Sequence, residues 1–219
     1  MESTATWGSG AAVSGLRRMT EPPLLLALHS CTERFGLALQ DPQVDDGTHR
    51  VAGFDDGRDL SNGLIERVEA LLPRDRWGSL KGLAVATGPG GFTGTRLSVV
   101  MARTLAQQLC CPLLGVSSFA LMAQRLAPDD QPFWIAQTLP RRGVVAGRYR
   151  VQGNAVSELE VPHLLSADQQ VTPAVQASDD VDADVAQLLR CLQGALQGGQ
   201  PLPWSQVLPL YPTSPVGPV

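Results

Sequence analysis

The chain has 219 residues, enough for one large domain or two small ones, and its 43% hydrophobic content is that of a globular protein. A net charge of −4 and an aromatic content of only 5% exclude the basic footprint and the stacking surface of a chain that grips nucleic acid by itself. No apolar run approaches the roughly 20 residues of a membrane span.

In chain order, residues 1–22 are rich in Gly, Ser, Thr and Ala. They carry no basic region followed by an apolar core, so a disordered extension without a secretory leader is expected, and a cytoplasmic location with it. Leu24 to His29 reads as a buried strand, and Phe35 to Leu39 as the second arm of a hairpin closed by the polar turn Ser30 to Arg34. A short third strand is expected over Arg50 to Phe54. Ser61 is the expected cap of a helix whose face carries Leu64, Ile65, Val68, Leu71 and Leu72 and which Pro73 stops. The continuous apolar run from Gly82 to Thr87 predicts a buried strand, followed by a helix from about Thr93 to Leu109. Leu97, Val100, Met101, Leu105 and Leu109 form the large-residue face of that helix; Val99, Ala102 and Ala106 form a small-residue face. A helix apolar over most of its circumference has to be covered on two sides, so the large face is assigned to the sheet and the small one to a partner. Leu113 to Val116 is a further strand, and Ser117 or Ser118 caps a helix through Leu126.

Beyond Pro128, strands are expected at Phe133 to Thr138 and Val144 to Val151 around the turn Arg141-Arg142-Gly143. Residues 152–180 read as polar and irregular, Val181 to Leu196 as one helix, and the Pro-rich tail as extended. Strands alternating with helices after three antiparallel strands predict an α/β fold with a partly parallel sheet, of the ribonuclease H-like or actin-like kind. The expected organisation is an extension (1–22), a first actin-like domain (23–127), and a smaller, degenerate second half with the tail (128–219).

The chemistry concentrates in Gly88-Pro89-Gly90-Gly91-Phe92-Thr93-Gly94-Thr95-Arg96, where a strand turns into a helix. Glycines admit close backbone approach and a helix N-terminus attracts anions. No Lys follows the glycines as in a P-loop, and Thr93 stands where a dinucleotide fingerprint has its third Gly. A ligand loop and a tight turn without ligand both remain open. His29, His49 and His163 are too scattered for an H-x-x-x-H metal motif, so no metal and no cofactor are expected. His29 at a strand end has the chemistry of an acid or base near pH 7, but a lone histidine there reads more often as a hydrogen-bonded or exposed residue. Arg96 is the polar candidate to meet a phosphate or a partner carboxylate. Ser117-Ser118 lack a nucleophile elbow, and Asp45-Asp46 and Asp55-Asp56 read as solvated turns. The four cysteines form no C-x-x-C pair and read as reduced thiols, Cys110-Cys111 packing at a helix end.

Three collinear segments carry a resemblance: Leu26-Ala27-Leu28-His29-Ser30-Cys31-Thr32-Glu33, then Gly88 to Leu97, then Pro112-Leu113-Leu114-Gly115-Val116-Ser117-Ser118. Over about residues 24 to 126 the chain resembles the bacterial TsaB (YeaZ) family, actin-like proteins that partner the tRNA threonylcarbamoyladenosine transferase TsaD. His29 stands where that family has Asp, and Gly91 where it has Ser. Leu139, Val144 and Ala146 stand where it has Asp, Glu and Tyr. The resemblance implies a non-catalytic subunit supporting threonylcarbamoyl transfer to adenosine 37 of ANN-decoding tRNAs. It implies a TsaD-like partner, a TsaE-like ATPase in the same complex, and a homodimer when alone. It also implies a vestigial ligand site at Ser30, Thr32, Gly88, Gly90, Gly91, Thr93, Gly94 and Arg96. The partner interface is expected at Leu64, Ile65 and Val68 of one helix and at Val99, Ala102, Arg103 and Ala106 of the next. The rival readings are a stand-alone actin-like nucleotide-binding phosphotransferase or ATPase, and a peptidase.

Overall fold

The computed structural model describes residues 23–44 and 48–213; the expected extension 1–22 and Asp45-Asp46 lie outside the described residues. The first sheet contains β1 (Leu25–His29), β2 (Phe35–Gln40), β3 (Arg50–Phe54), β4 (Gly82–Ala86) and β5 (Leu113–Val116), in the order β3-β2-β1-β4-β5. The hairpin strands pair antiparallel, whereas β1, β4 and β5 run parallel. The helices α1 (Leu60–Leu71), α2 (Phe92–Leu109) and α3 (Ser118–Leu126) follow β3, β4 and β5. This is the ribonuclease H-like strand order of the actin-like fold.

Both faces of this sheet are covered, which is why β1, β2 and β4 read as unbroken apolar runs rather than alternating ones. Leu26, Leu28, Leu37, Leu39, Leu83 and Val85 face α1 and α2. Leu25, Ala27, Ala38, Ala84 and Ala86 face Leu121 of α3 and Val185, Leu188, Leu189 and Leu192 of α4 (Val181–Gln197).

The second sheet contains β6 (Phe133–Leu139), β7 (Gly143–Gln152), β8 (Ala155–Leu164) and β9 (Ala174–Gln176), in the order β8-β7-β6-β9. Three antiparallel strands and a fourth parallel to the first repeat the order and directions of β3-β2-β1-β4. That repeat, four-stranded among the described residues, is the smaller actin-like half. Phe119, Met122 and Ala123 of α3 pack against its Phe133, Ile135, Val145 and Tyr149.

Four expectations need correction. First, β8 and β9 lie inside the stretch read as irregular. Second, the described residues 128–213 do not stay together: α4 covers the first sheet, and residues 202–210 follow that sheet too, with Leu113 N donating to Leu202 O. Third, Ser61 lies inside the first turn of α1; the preceding 3-10 turn Gly57–Asp59 runs on into the helix and puts Asp59 at the cap. Fourth, the faces of α2 are inverted. Val99, Ala102 and Ala106 are buried with Thr95 and Ser98 on the sheet side, whereas Leu97, Met101, Leu105 and Leu109 are half-buried and Val100 is exposed. Small residues belong where a helix axis must approach a sheet closely, and the larger ones reach sideways. At the end of α2, Cys111 is buried but Cys110, in the left-handed conformation, is exposed.

Candidate functional site

The glycine loop forms one wall of a cleft of about 880 Å³, opposite the β6–β7 hairpin with Gln137, Leu139 and Arg142. Gly91 caps α2 without a side-chain hydrogen bond, and the helix geometry leaves the N–H groups of Phe92, Thr93 and Gly94 without intrahelical acceptors. These groups attract anionic oxygens. The close approach that the glycines permit is used by the protein's own backbone. A Cβ on Gly90 would lie 2.0 Å from Cys31 O, one on Gly94 2.5 Å from Ser30 O, and one on Gly88 2.6 Å from Leu210 O. Hydrogen bonds fix the same contacts: Gly91 N donates to Cys31 O (2.7 Å), Ser118 N to Gly88 O (2.8 Å), Ser118 Oγ to Pro89 O (2.6 Å) and Leu210 N to Thr87 O (2.7 Å).

The side chains beside this loop are not arranged for chemistry. Ser30 Oγ donates to Gly94 O (2.8 Å) and also meets Ser98 Oγ, so it has no adjacent base. Burial pushes the Cys31 thiol up to about 11, which keeps it protonated. His29 is fully buried on the α3–α4 face of β1 and does not line the cleft; neither ring nitrogen has a hydrogen-bond partner. Burial lowers its pKa to about 4, and the Arg125 charge adds to this, so the ring is neutral at pH 7. Acid or base chemistry by His29 is therefore not available at the cleft. Among the described residues, no group of His, Cys, Asp and Glu side chains is placed to hold a metal ion, and no helix is long and apolar enough to cross a membrane.

Ser30, Gly90, Gly91, Thr93 and Gly94 come together on the cleft wall, with Thr32 at its edge donating to Arg34 O (2.8 Å). Gly88 sits behind them under Leu210, and Arg96 points to the other flank of α2, where it lines a separate groove. Of the expected interface residues, Leu64, Val68, Val99, Ala102 and Ala106 are buried in the chain's own core and are unavailable to a partner. Ile65 is 49% exposed on the outer face of α1. Arg103 is half-buried, donating from Nη1 to Val207 O (2.8 Å) and lying over the Trp204 ring.

Residue-by-residue reading missed three parts. Leu210 to Thr213 close one end of the cleft, and Tyr211 stacks on Phe92 with ring centroids 4.7 Å apart. Ser117, the α3 cap, donates to Glu158 Oε1 (2.7 Å), which also accepts from the buried Tyr149 (2.9 Å), tying α3 to the second sheet. Asp184, in the first turn of α4, is buried and paired with Arg125 (3.0 and 3.1 Å).

The family model of TsaD, tRNA N6-adenosine threonylcarbamoyltransferase, matches residues 64–175, just over half of the chain. The chain is 36% identical over 96 residues to the tRNA threonylcarbamoyladenosine biosynthesis protein TsaB of Bacillus subtilis, covering 42% of this chain and 38% of that one. It is 40% identical over 43 residues to the TsaB of Buchnera aphidicola, covering 20% of each. The matches thus span less than two fifths of the length of these curated relatives. Two solved structures share the fold. One, from Pseudomonas aeruginosa and described as similar to peptidase YeaZ, has a TM-score of 0.70 at 22% identity over 88% of this chain and 100% of the other. The other, YeaZ from Pseudomonas aeruginosa, has a TM-score of 0.65 at 21% identity over 87% and 100%. The chain belongs to this threonylcarbamoyltransferase family.

Proposed function

We propose that the chain is a non-catalytic scaffold subunit that docks against a TsaD-like transferase and supports threonylcarbamoyl transfer to adenosine 37 of ANN-decoding tRNAs. One observation supports the reading: the space left by the missing side chains of Gly90, Gly94 and Gly88 is taken by the chain's own Cys31 O, Ser30 O and Leu210 O. On this reading the glycines serve the close packing of the loop against its own chain. The neutral, buried His29 and the protonated Cys31 supply no acid, base or nucleophile in their place.

What remains open to a partner is the outer surface of α1 and α2, with Ile65 and Val100 exposed and Leu97, Met101 and Leu105 half-buried between them. On this reading the surface takes the TsaD-like subunit, or a second copy of the chain when that subunit is absent. A TsaE-like ATPase joins the same cytoplasmic complex. The test is gel filtration of the chain with the TsaD-type transferase of the same organism. Co-elution that Ile65→Glu abolishes supports the reading; two separate peaks with wild-type protein refute it.

A stand-alone actin-like ATPase is the second reading, favoured by the open N–H groups of Phe92, Thr93 and Gly94 at a cleft of about 880 Å³. ATP turnover by the purified chain that survives removal of every contaminating ATPase would establish it.

A further inference from the structure

The flank of α2 remote from α1 carries a second concavity, built by the chain after α4. Leu202 O accepts from Leu113 N (3.0 Å), Val207 O accepts from Arg103, and Leu210 N donates to Thr87 O. These three anchors hold residues 202–210 as a strap along the helix. Between strap and helix lies a groove of about 420 Å³ walled by Phe92, Val100, Trp204, Leu208 and Tyr211. Val100 is 54% exposed and Leu208 62%, and Phe92 and Tyr211 are also exposed. Single exposed apolar side chains are ordinary on a protein surface, but four around one groove are not.

The charge of the groove is as distinctive as its shape. Arg96 and Arg103 line it and no carboxylate of the described residues does, in a chain whose net charge is −4. Arg103 is bound to a carbonyl oxygen rather than to an acid, and Arg96 has no carboxylate partner among the described residues. An apolar trough with an uncompensated positive rim is complementary to an amphipathic segment whose apolar anchors are flanked by Asp or Glu.

We infer that the groove receives such an acidic, apolar-anchored segment from the TsaD-like partner. The C-terminal strap is then part of the docking surface, rather than only a brace for the glycine loop. The inference rests on the docking reading above and adds to it the identity of the second contact. The anchors belong in the trough and the carboxylates on Arg96, which makes the contribution of Arg96 sensitive to salt.

Calorimetric titration of the full chain with the TsaD-type transferase, at low and at high salt, tests this. Arg96→Glu and Leu208→Ser alter exposed side chains, and their thermal transitions verify folding. Arg96→Glu should weaken binding about tenfold or more at low salt and remove most of the salt dependence. Leu208→Ser should weaken binding at both salt concentrations. Wild-type affinity in both variants, with binding still abolished by Ile65→Glu, overturns the groove and leaves the α1–α2 reading standing. Loss of self-association without loss of transferase binding overturns it in favour of a second copy as occupant. A wild-type chain that does not bind the transferase at all overturns both.

Discussion

Gly90 and Cys31 are in contact through their backbones: Cys31 O accepts the N–H of Gly91, and it lies 2.0 Å from where a Cβ on Gly90 would stand. Neither atom can retreat, because Cys31 follows a buried strand and Gly91 caps α2. Gly90→Ala should therefore cost about 3 kcal/mol of stability through forced backbone movement. Gly63, inside α1 with nothing within 4 Å of its Cβ position, is the control. Gly63→Ala should stabilise by about 0.5–1 kcal/mol, because alanine loses less backbone entropy in a helix. Urea unfolding of the two variants measures both signs.

Ala102 and Ile65 separate core from surface. Ala102 is fully buried against the first sheet, so Ala102→Glu would put an unpaired carboxylate into the core and should cost more than about 3 kcal/mol. Ile65→Glu, on the open face of α1, should change stability by no more than about 0.5 kcal/mol while preventing association. Thermal unfolding followed by circular dichroism distinguishes the two, and a cooperative wild-type transition for Ala102→Glu would show that this face is not core.

The inverted face of α2 shows how far the sequence could be read. Strand and helix positions in the first half were legible because apolar runs are bounded by Gly and Pro, and β3 falls on Arg50–Phe54 as expected. Which face of α2 meets the sheet was not legible. Large apolar residues suggest core by their area, but Ala102 and Ala106 are the ones that permit close approach. β8 was missed because its alternation is reversed: Leu159 and Val161 are exposed, whereas Glu158 lies on the other side and accepts from the buried Tyr149. The glycines of the cleft were evident, but the atoms filling the space beside them were not. Leu210 lies more than a hundred residues from Gly88, and a backbone carbonyl leaves no mark on composition.

The buried His29 predicts an acid-sensitive fold. Its pKa falls from 6.5 to about 4 on folding, because burial and the Arg125 charge both disfavour the imidazolium. Between those values the unfolded chain binds a proton that the folded chain does not, so stability rises with pH. The contribution is complete above about pH 6.5 and is lost as pH falls towards 4, by up to about 3 kcal/mol. His29→Leu removes both unpartnered nitrogens and should flatten the profile in that window. The difference between wild-type and variant urea midpoints from pH 4 to 7.5 isolates the effect, since other titrating groups cancel in the comparison. Parallel profiles would show that the pKa of His29 does not fall on folding.

The scaffold role itself is tested most directly by threonylcarbamoyl transfer to adenosine 37 of an ANN-decoding tRNA. The assay uses the TsaD-type transferase of the same organism and an activated threonylcarbamoyl donor, with and without this chain. The modified nucleoside is quantified by mass spectrometry. If the chain is a docking subunit, product accumulates only when transferase and chain are both present, the chain alone yields none, and Ile65→Glu reduces the yield to that of the transferase alone. Equal product with and without the chain would contradict the account.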